Sequence, residues 1–203
     1  MNTITNGDKG KLVLVLAHGA GAPMDSEFMN VVAQGVAQSA IQVVRFEFPY
    51  MQERRLTGKK RPPDRQPVLL ACWQAMIDKL GGPENVIIGG KSMGGRMASM
   101  MAAELKVRGL VCLGYPFHPV GKPERLRTEH LYGIRVPTLM VQGERDALGN
   151  KQEVLSYDLP ATFQFSWLPD GDHDLKPRVK SGYNHDHHLK LAITEIVDFV
   201  HSC

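Results

Sequence analysis

Cysteine is scarce in this chain of 203 residues, and the three present, Cys72, Cys112 and Cys203, lie far apart. They form no CxxC pair, and their odd number argues against a disulfide framework. Long apolar runs are absent too, and nothing is long enough to cross a bilayer. Leu12–Ala17, behind Lys9 and Lys11, is shorter than the apolar centre of a signal peptide and reads as a strand. Charge of one sign is in no general excess. The net +3 is more than covered by Met51–Gln66, where Arg54, Arg55, Lys59, Lys60, Arg61 and Arg65 face only Glu53 and Asp64. The remainder is near neutral, which speaks against a nucleic-acid-binding surface. Repeats, low-complexity tracts and linkers are missing as well. With 43% apolar and 22% charged residues, the chain is expected to be one globular domain over residues 1–203, cytoplasmic, with no membrane or nucleic-acid partner.

What is present is a regular alternation. Leu12–Ala17, Ile41–Phe48, Val86–Ile88, Val107–Leu113, Pro137–Gln142 and Thr162–Leu168 read as six strands, the first of them apolar on both faces as in a covered parallel sheet. Helical stripes lie between most of them. Phe28, Val31, Val32 and Val36 share one face, with Asp25 placed to cap that helix; Leu69, Cys72, Trp73, Met76 and Leu80 share another, closed by Gly81-Gly82-Pro83. Met97, Met100, Met101 and Leu105 follow, then a short helix over 151–156, and Leu189, Ala192, Ile193, Ile196 and Val200 make a final amphipathic helix. In Met51–Pro67 the prolines at 62, 63 and 67 are expected to block regular structure. The pattern predicts a single-domain α/β fold: a doubly wound, mostly parallel sheet with helices on both faces and no separate lid domain.

The informative stretch is Val86–Arg96, VIIGGKSMGGR. A buried strand runs into a glycine-rich turn and then a helix, and Gly90-Lys91-Ser92-Met93-Gly94 fits G-x-S-x-G, the nucleophile elbow. The glycines have a steric reason. A serine thrust out on so sharp a turn brings the residues two before and two after it together, leaving no room for a Cβ. G-K-S also occurs in phosphate-binding P-loops, but the first glycine of that motif falls on Asn85, and Val86–Ile88 occupy the place of its loop.

In a doubly wound sheet the working loops lie at the carboxyl ends of the strands. Those ends carry, in chain order, His18-Gly19-Ala20-Gly21, Ser92, Asp146 and His173. Ser, then Asp, then His is the order of one large serine-hydrolase design and differs from the other two. With HGAGAPMDSEFM near the start and GGKSMGGRMAS at the elbow, the chain resembles the α/β-hydrolase superfamily in its small, lidless, dienelactone-hydrolase-like branch. Within that branch it most resembles a little-characterised family, itself similar to the hydrolase-like region of a eukaryotic chromatin-complex subunit. The resemblance covers Leu12 to Val200. Dienelactone hydrolases proper use a cysteine nucleophile where this chain has Ser92, so dienelactone is not implied as substrate.

The resemblance implies a serine hydrolase of carboxylic esters or thioesters, without cofactor or metal, acting on a small-molecule ester. Ser92 would be the nucleophile, His173 the general base and Asp146 the acid that orients it, with the backbone N–H groups of Ala20 and Met93 as oxyanion hole. Other readings stand beside these. Glu144 rivals Asp146, His173 sits in an acidic turn between Asp172 and Asp174, and His18 reads as a support for its loop rather than a base. The cluster His185, Asp186, His187, His188 is either a solvated helix start or a metal site. Lys91 either favours an anionic substrate or turns away to pair with a carboxylate. The basic segment either borders the site and selects negative substrates or is a solvated loop. A hydrolase-fold scaffold that binds partners without catalysis is the alternative function.

Overall fold

The structure, a computed structural model, describes residues 2–10 and 12–203. Seven strands form one sheet: β1 (Thr3–Asn6), β2 (Val13–Ala17), β3 (Gln42–Phe46), β4 (Ile87–Lys91), β5 (Gly109–Leu113), β6 (Thr138–Gly143) and β7 (Phe163–Leu168). Their spatial order is β1-β3-β2-β4-β5-β6-β7. Every pairing is parallel except that of β1, which runs antiparallel to β3. The chain moves outward from β2 to β3 and then returns to place β4 on the other side of β2. The carboxyl ends of β2 and β4 therefore flank a topological switch point, where open α/β sheets make their crevice.

Six helices cover the sheet: α1 (Glu27–Ala37), α2 (Pro49–Thr57), α3 (Gln66–Lys79), α4 (Met93–Glu104), α5 (Lys151–Val154) and α6 (His185–Ser202). On one face, Trp73 and Met76 of α3 and Met97 and Met101 of α4 pack over Val15, Ile88 and Cys112. On the other, Val32 and Val36 of α1 meet Leu189, Ala192 and Ile196 of α6 over Leu14, Ile87 and Val111. Side chains alternate along each strand, so in the central strands β2, β4, β5 and β6 both faces are buried. No helix among the described residues is long and apolar enough to cross a membrane. The three cysteines are free thiols.

Four expectations change. The sheet has a seventh strand, β1, because Thr3–Asn6 is a short edge segment with nothing fully buried and so carries no apolar signal. The basic stretch is not irregular throughout. Pro49 opens α2 at the first helical position, where proline's fixed φ suits the turn and its missing N–H costs nothing, and Gly58 closes it at φ +68°. Pro67 likewise sits in the first turn of α3. Asp25 does not cap α1; Ser26 holds the cap position and the Asp25 carboxylate pairs with Arg55. The buried face of α1 is Met29, Val32, Ala33 and Val36, which leaves Phe28 and Val31 to line a surface cleft.

Candidate active site

Strand β4 delivers Ser92 to the switch point in a strained backbone, φ +52° and ψ −116°, at the mouth of α4. The turn is held from both sides. Ser92 N–H donates to the Leu113 carbonyl at 2.9 Å, and the Ser92 carbonyl accepts from Arg96 N–H at 2.9 Å. The flanking glycines are needed here: a Cβ on Gly90 would stand 2.3 Å from the Ala17 carbonyl oxygen, and one on Gly94 2.4 Å from the same atom. Strand β2 and the turn thus approach to backbone contact, which brings the Gly19–Gly21 loop alongside the serine.

His173 reaches Ser92 from beyond β7. Its Nε2 lies 2.8 Å from Ser92 Oγ, and its Nδ1 lies 2.8 Å from Asp146 Oδ2. A carboxylate only accepts, so Nδ1 carries the proton and Nε2 is left to accept from the serine hydroxyl. Asp146 is fully buried and fixed on both oxygens: Oδ1 accepts from Leu148 N–H at 2.8 Å and Oδ2 from Gln142 Nε2 at 2.9 Å. Gln142 escaped the sequence reading. Fully buried at the end of β6, it also donates to the Tyr115 and Gly149 carbonyls and accepts from Tyr115 N–H, so one amide braces the acid and both loops beside it. The available signal was a polar side chain ending an otherwise apolar strand.

The loop after β2 is held with equal care. His18 is buried, donating from Nδ1 to Gly19 O at 2.7 Å and accepting at Nε2 from Phe48 N–H at 3.2 Å. Burial draws its pKa below the ordinary histidine value, in keeping with a neutral ring that supports the loop. The Tyr50 hydroxyl donates to the Ala20 carbonyl at 3.0 Å. No acceptor within the described residues takes the Ala20 N–H, and Met93, first in its helix, has no intrahelical acceptor. Both residues adjoin Ser92. A cleft of about 240 Å³ opens over it, lined by Gly19, Ala20, Phe28, Lys91, Ser92 and His173 among others. Ala22, Ser26, Phe28 and Asp174 are shared with a second cleft of about 560 Å³ running between the starts of α1 and α6.

The rival residues go elsewhere. Glu144 pairs with Lys151 at 2.8 Å and accepts from Asp170 N–H, and the lysine holds its carboxyl below the usual range. His185 donates to the Asp174 carbonyl at 3.0 Å and buried His188 to that of Leu175 at 2.9 Å, so the histidine cluster ties the His173 loop to α6. No group of three or more potential metal ligands gathers among the described residues. Lys91 turns toward the His173 loop and pairs with Asp174 at 3.1 Å. In the basic segment, Arg55 is taken up by Glu47 and Asp25, and Arg61 by Glu53 and Asp64. Arg54 leans on the Gly21 carbonyl at 3.5 Å and, with Lys60, Arg61 and Pro62, lines a cleft of about 420 Å³.

Similar folds recur among solved structures. A dienelactone hydrolase from Anabaena variabilis superposes with a TM-score of 0.73 at 19% identity, over 98% of this chain and 90% of that one. An α/β serine hydrolase without a lid from Xanthomonas campestris gives 0.71 at 16% identity, over 98% and 88%. Est1E from Butyrivibrio proteoclasticus, with ferulic acid bound, gives 0.71 at 14% identity, over 99% and 94%. At such identities the likeness speaks for the fold: one α/β domain, a mostly parallel sheet and no lid. The sequence itself goes further, since residues 10–201 match the α/β hydrolase domain family. The chain belongs to the α/β hydrolase domain family.

Proposed function

We propose that this protein is a serine hydrolase of carboxylic esters or thioesters, with Ser92 as nucleophile, His173 as general base and Asp146 as its orienting acid. The observation that carries the reading is the unbroken chain of two 2.8 Å contacts from Ser92 Oγ through the imidazole to a buried carboxylate. Ser92 Oγ attacks the acyl carbon as His173 Nε2 takes its proton, and Asp146 stabilises the resulting imidazolium. The carbonyl electrons move onto oxygen, where the N–H groups of Ala20 and Met93 receive them, each donor being worth about 3 kcal/mol. The intermediate collapses as His173 protonates the departing alcohol or thiol. Water, activated by the same base, then frees the acid from Ser92.

The substrate is a small-molecule ester whose chain lies along the cleft between α1 and α6, against Phe28, Val31 and Leu189. An anionic arm is favoured by the cleft of about 420 Å³ beside the basic segment. Gly21 lines both it and the Ser92 cleft, and among the described residues Arg54 and Lys60 form no ion pair with a carboxylate. A scaffold that only binds partners has no need of a strained serine in register with a base and a buried acid.

Labelling by a fluorophosphonate probe tests the chemistry: the unaltered chain is expected to react and Ser92→Ala to stay unlabelled, whereas labelling that is absent or independent of Ser92 favours the scaffold. Esters of graded acyl length and charge, with a hydroxycinnamate ester among them, test the substrate. Arg54→Gln with Lys60→Gln is expected to raise KM about tenfold for an anionic ester and leave a neutral one unchanged. Equal behaviour of the two esters returns the basic segment to a solvated surface.

A further inference from the structure

Lys91 is the last residue of β4 and stands directly before Ser92, yet its side chain is only 9% exposed. The ammonium donates to the His173 carbonyl oxygen at 2.8 Å and pairs with Asp174 Oδ1 at 3.1 Å, with the Phe28 ring centred 5.6 Å away. Burial pulls the lysine pKa below its ordinary value while Asp174 pushes back. An ammonium so placed is costly to desolvate, and an apolar chain of similar length would fill the space more cheaply.

The surroundings are shaped to admit this contact. Gly114, at the end of β5, holds φ +62°. A Cβ there would lie 2.6 Å from the His173 carbonyl oxygen, 3.3 Å from Lys91 Nζ and 3.4 Å from His173 Nδ1. The need for the tie follows from the sheet. His173 enters from beyond β7, three strands from β4 in spatial order, about 14 Å at the usual strand spacing. The other bonds of its loop run within the loop, to α6 or to the turn after β6: Leu175 N–H to Asp172 O, His185 to Asp174 O, His188 to Leu175 O, and Arg145 to the Asp170 and Gly171 carbonyls. Among the described residues, only Lys91 links the histidine's main chain to the strand that carries Ser92.

We propose that Lys91 is a positioning residue, a clamp that holds the backbone of the base to the nucleophile's own strand and thereby sets the distance from Nε2 to Oγ. This rests on the reading of Ser92 and His173 as nucleophile and base. Lys91 acts through His173, so its removal lowers the rate of Ser92 attack more than it weakens substrate binding. Small displacements of reacting groups are costly in rate.

The test uses the full chain with Lys91→Met, close in shape but without donors, Lys91→Arg, which keeps both charge and donors, and Lys91→Ala. Fluorophosphonate labelling rate, kcat and KM for a neutral activated ester, and thermal melting are measured on each. K91M is expected to lose at least about tenfold in kcat and in labelling rate with KM within about twofold. K91R should keep several times more activity than K91M. In K91A, added propylammonium should restore part of the labelling rate, and tetramethylammonium, which has no N–H to donate, should not. A role in packing alone makes K91M the better tolerated of the two full-length variants and removes the amine effect, and either result overturns the clamp. A change confined to KM overturns it as well, by placing Lys91 on the substrate. Ser92-dependent labelling of the unaltered chain keeps these outcomes distinct from a failure of the serine-hydrolase reading.

Discussion

At the scale of single residues, Asp146 and Glu144 differ in what each carboxylate touches, and that difference is the ground for proposing Asp146 as the acid. Two residues apart at the end of β6, they look alike in the chain; one accepts from His173, Gln142 and Leu148, the other from Lys151 and Asp170. Asp146→Asn keeps the shape and reverses one donor. The amide nitrogen then donates to His173 Nδ1, the proton moves to Nε2, and the ring can no longer accept from Ser92. Loss of about 10³–10⁴-fold in kcat is expected, with a lower melting temperature because the new amide nitrogen faces the Gln142 donor, read by ester kinetics beside a thermal scan. Glu144→Gln, which cuts a half-exposed pair to Lys151, is expected to leave kcat within about twofold. Equal losses from the two substitutions would mean that the acid is misassigned.

At the scale of elements, the elbow works because β2, β4 and α4 meet without side chains between them. Gly94→Ala puts a methyl 2.4 Å from the Ala17 carbonyl and 2.6 Å from that of His18, and backbone on both sides cannot give way. A stability loss of about 1–3 kcal/mol or more and the disappearance of Ser92 labelling are expected in urea titrations and probe assays. Gly133→Ala, where nothing lies within 4 Å of the added carbon, is the control and should leave both readings near normal. Strands β2 to β7 were legible because each is rich in apolar residues and bounded by turn residues. Helix α2 was not, since its sequence PYMQERRLT is mostly polar and buries only Tyr50 and Met51. Its start depends on Pro49, a residue that ends a strand and begins a helix equally well.

At the scale of the whole molecule, folding stability depends on pH through histidines that are wholly or partly buried. His130, packed against Ser99 and Tyr115, has its pKa pulled down from 6.5 to about 4 by burial, with the Arg96 charge adding to it. Between those values the unfolded chain binds a proton that the folded chain refuses. Stability is therefore present above the unfolded pKa and is lost as pH falls from about 6.5 to about 4. His18 is shifted in the same direction, again by burial. His130→Gln is expected to flatten the fall in urea midpoint across that window without abolishing it. A slope unchanged from the unaltered chain would place the titration elsewhere.

The sequence by itself determined the sheet, the elbow and the chain order of Ser92, Asp146 and His173, because each is written in local periodicity or in a short motif with a steric reason. The tertiary structure decided what depends on residues far apart in the chain meeting. It separated the surroundings of Asp146 from those of Glu144, placed Gln142 beside Asp146 and added the polar edge strand β1. It turned His185 and His188 from a possible ligand cluster into ties on the His173 loop. It also directed Lys91 inward, onto a carbonyl 82 positions further on. Hydrogen bonds of that reach leave no mark on hydrophobic pattern, since donor and acceptor are fixed only once the strands between them have paired.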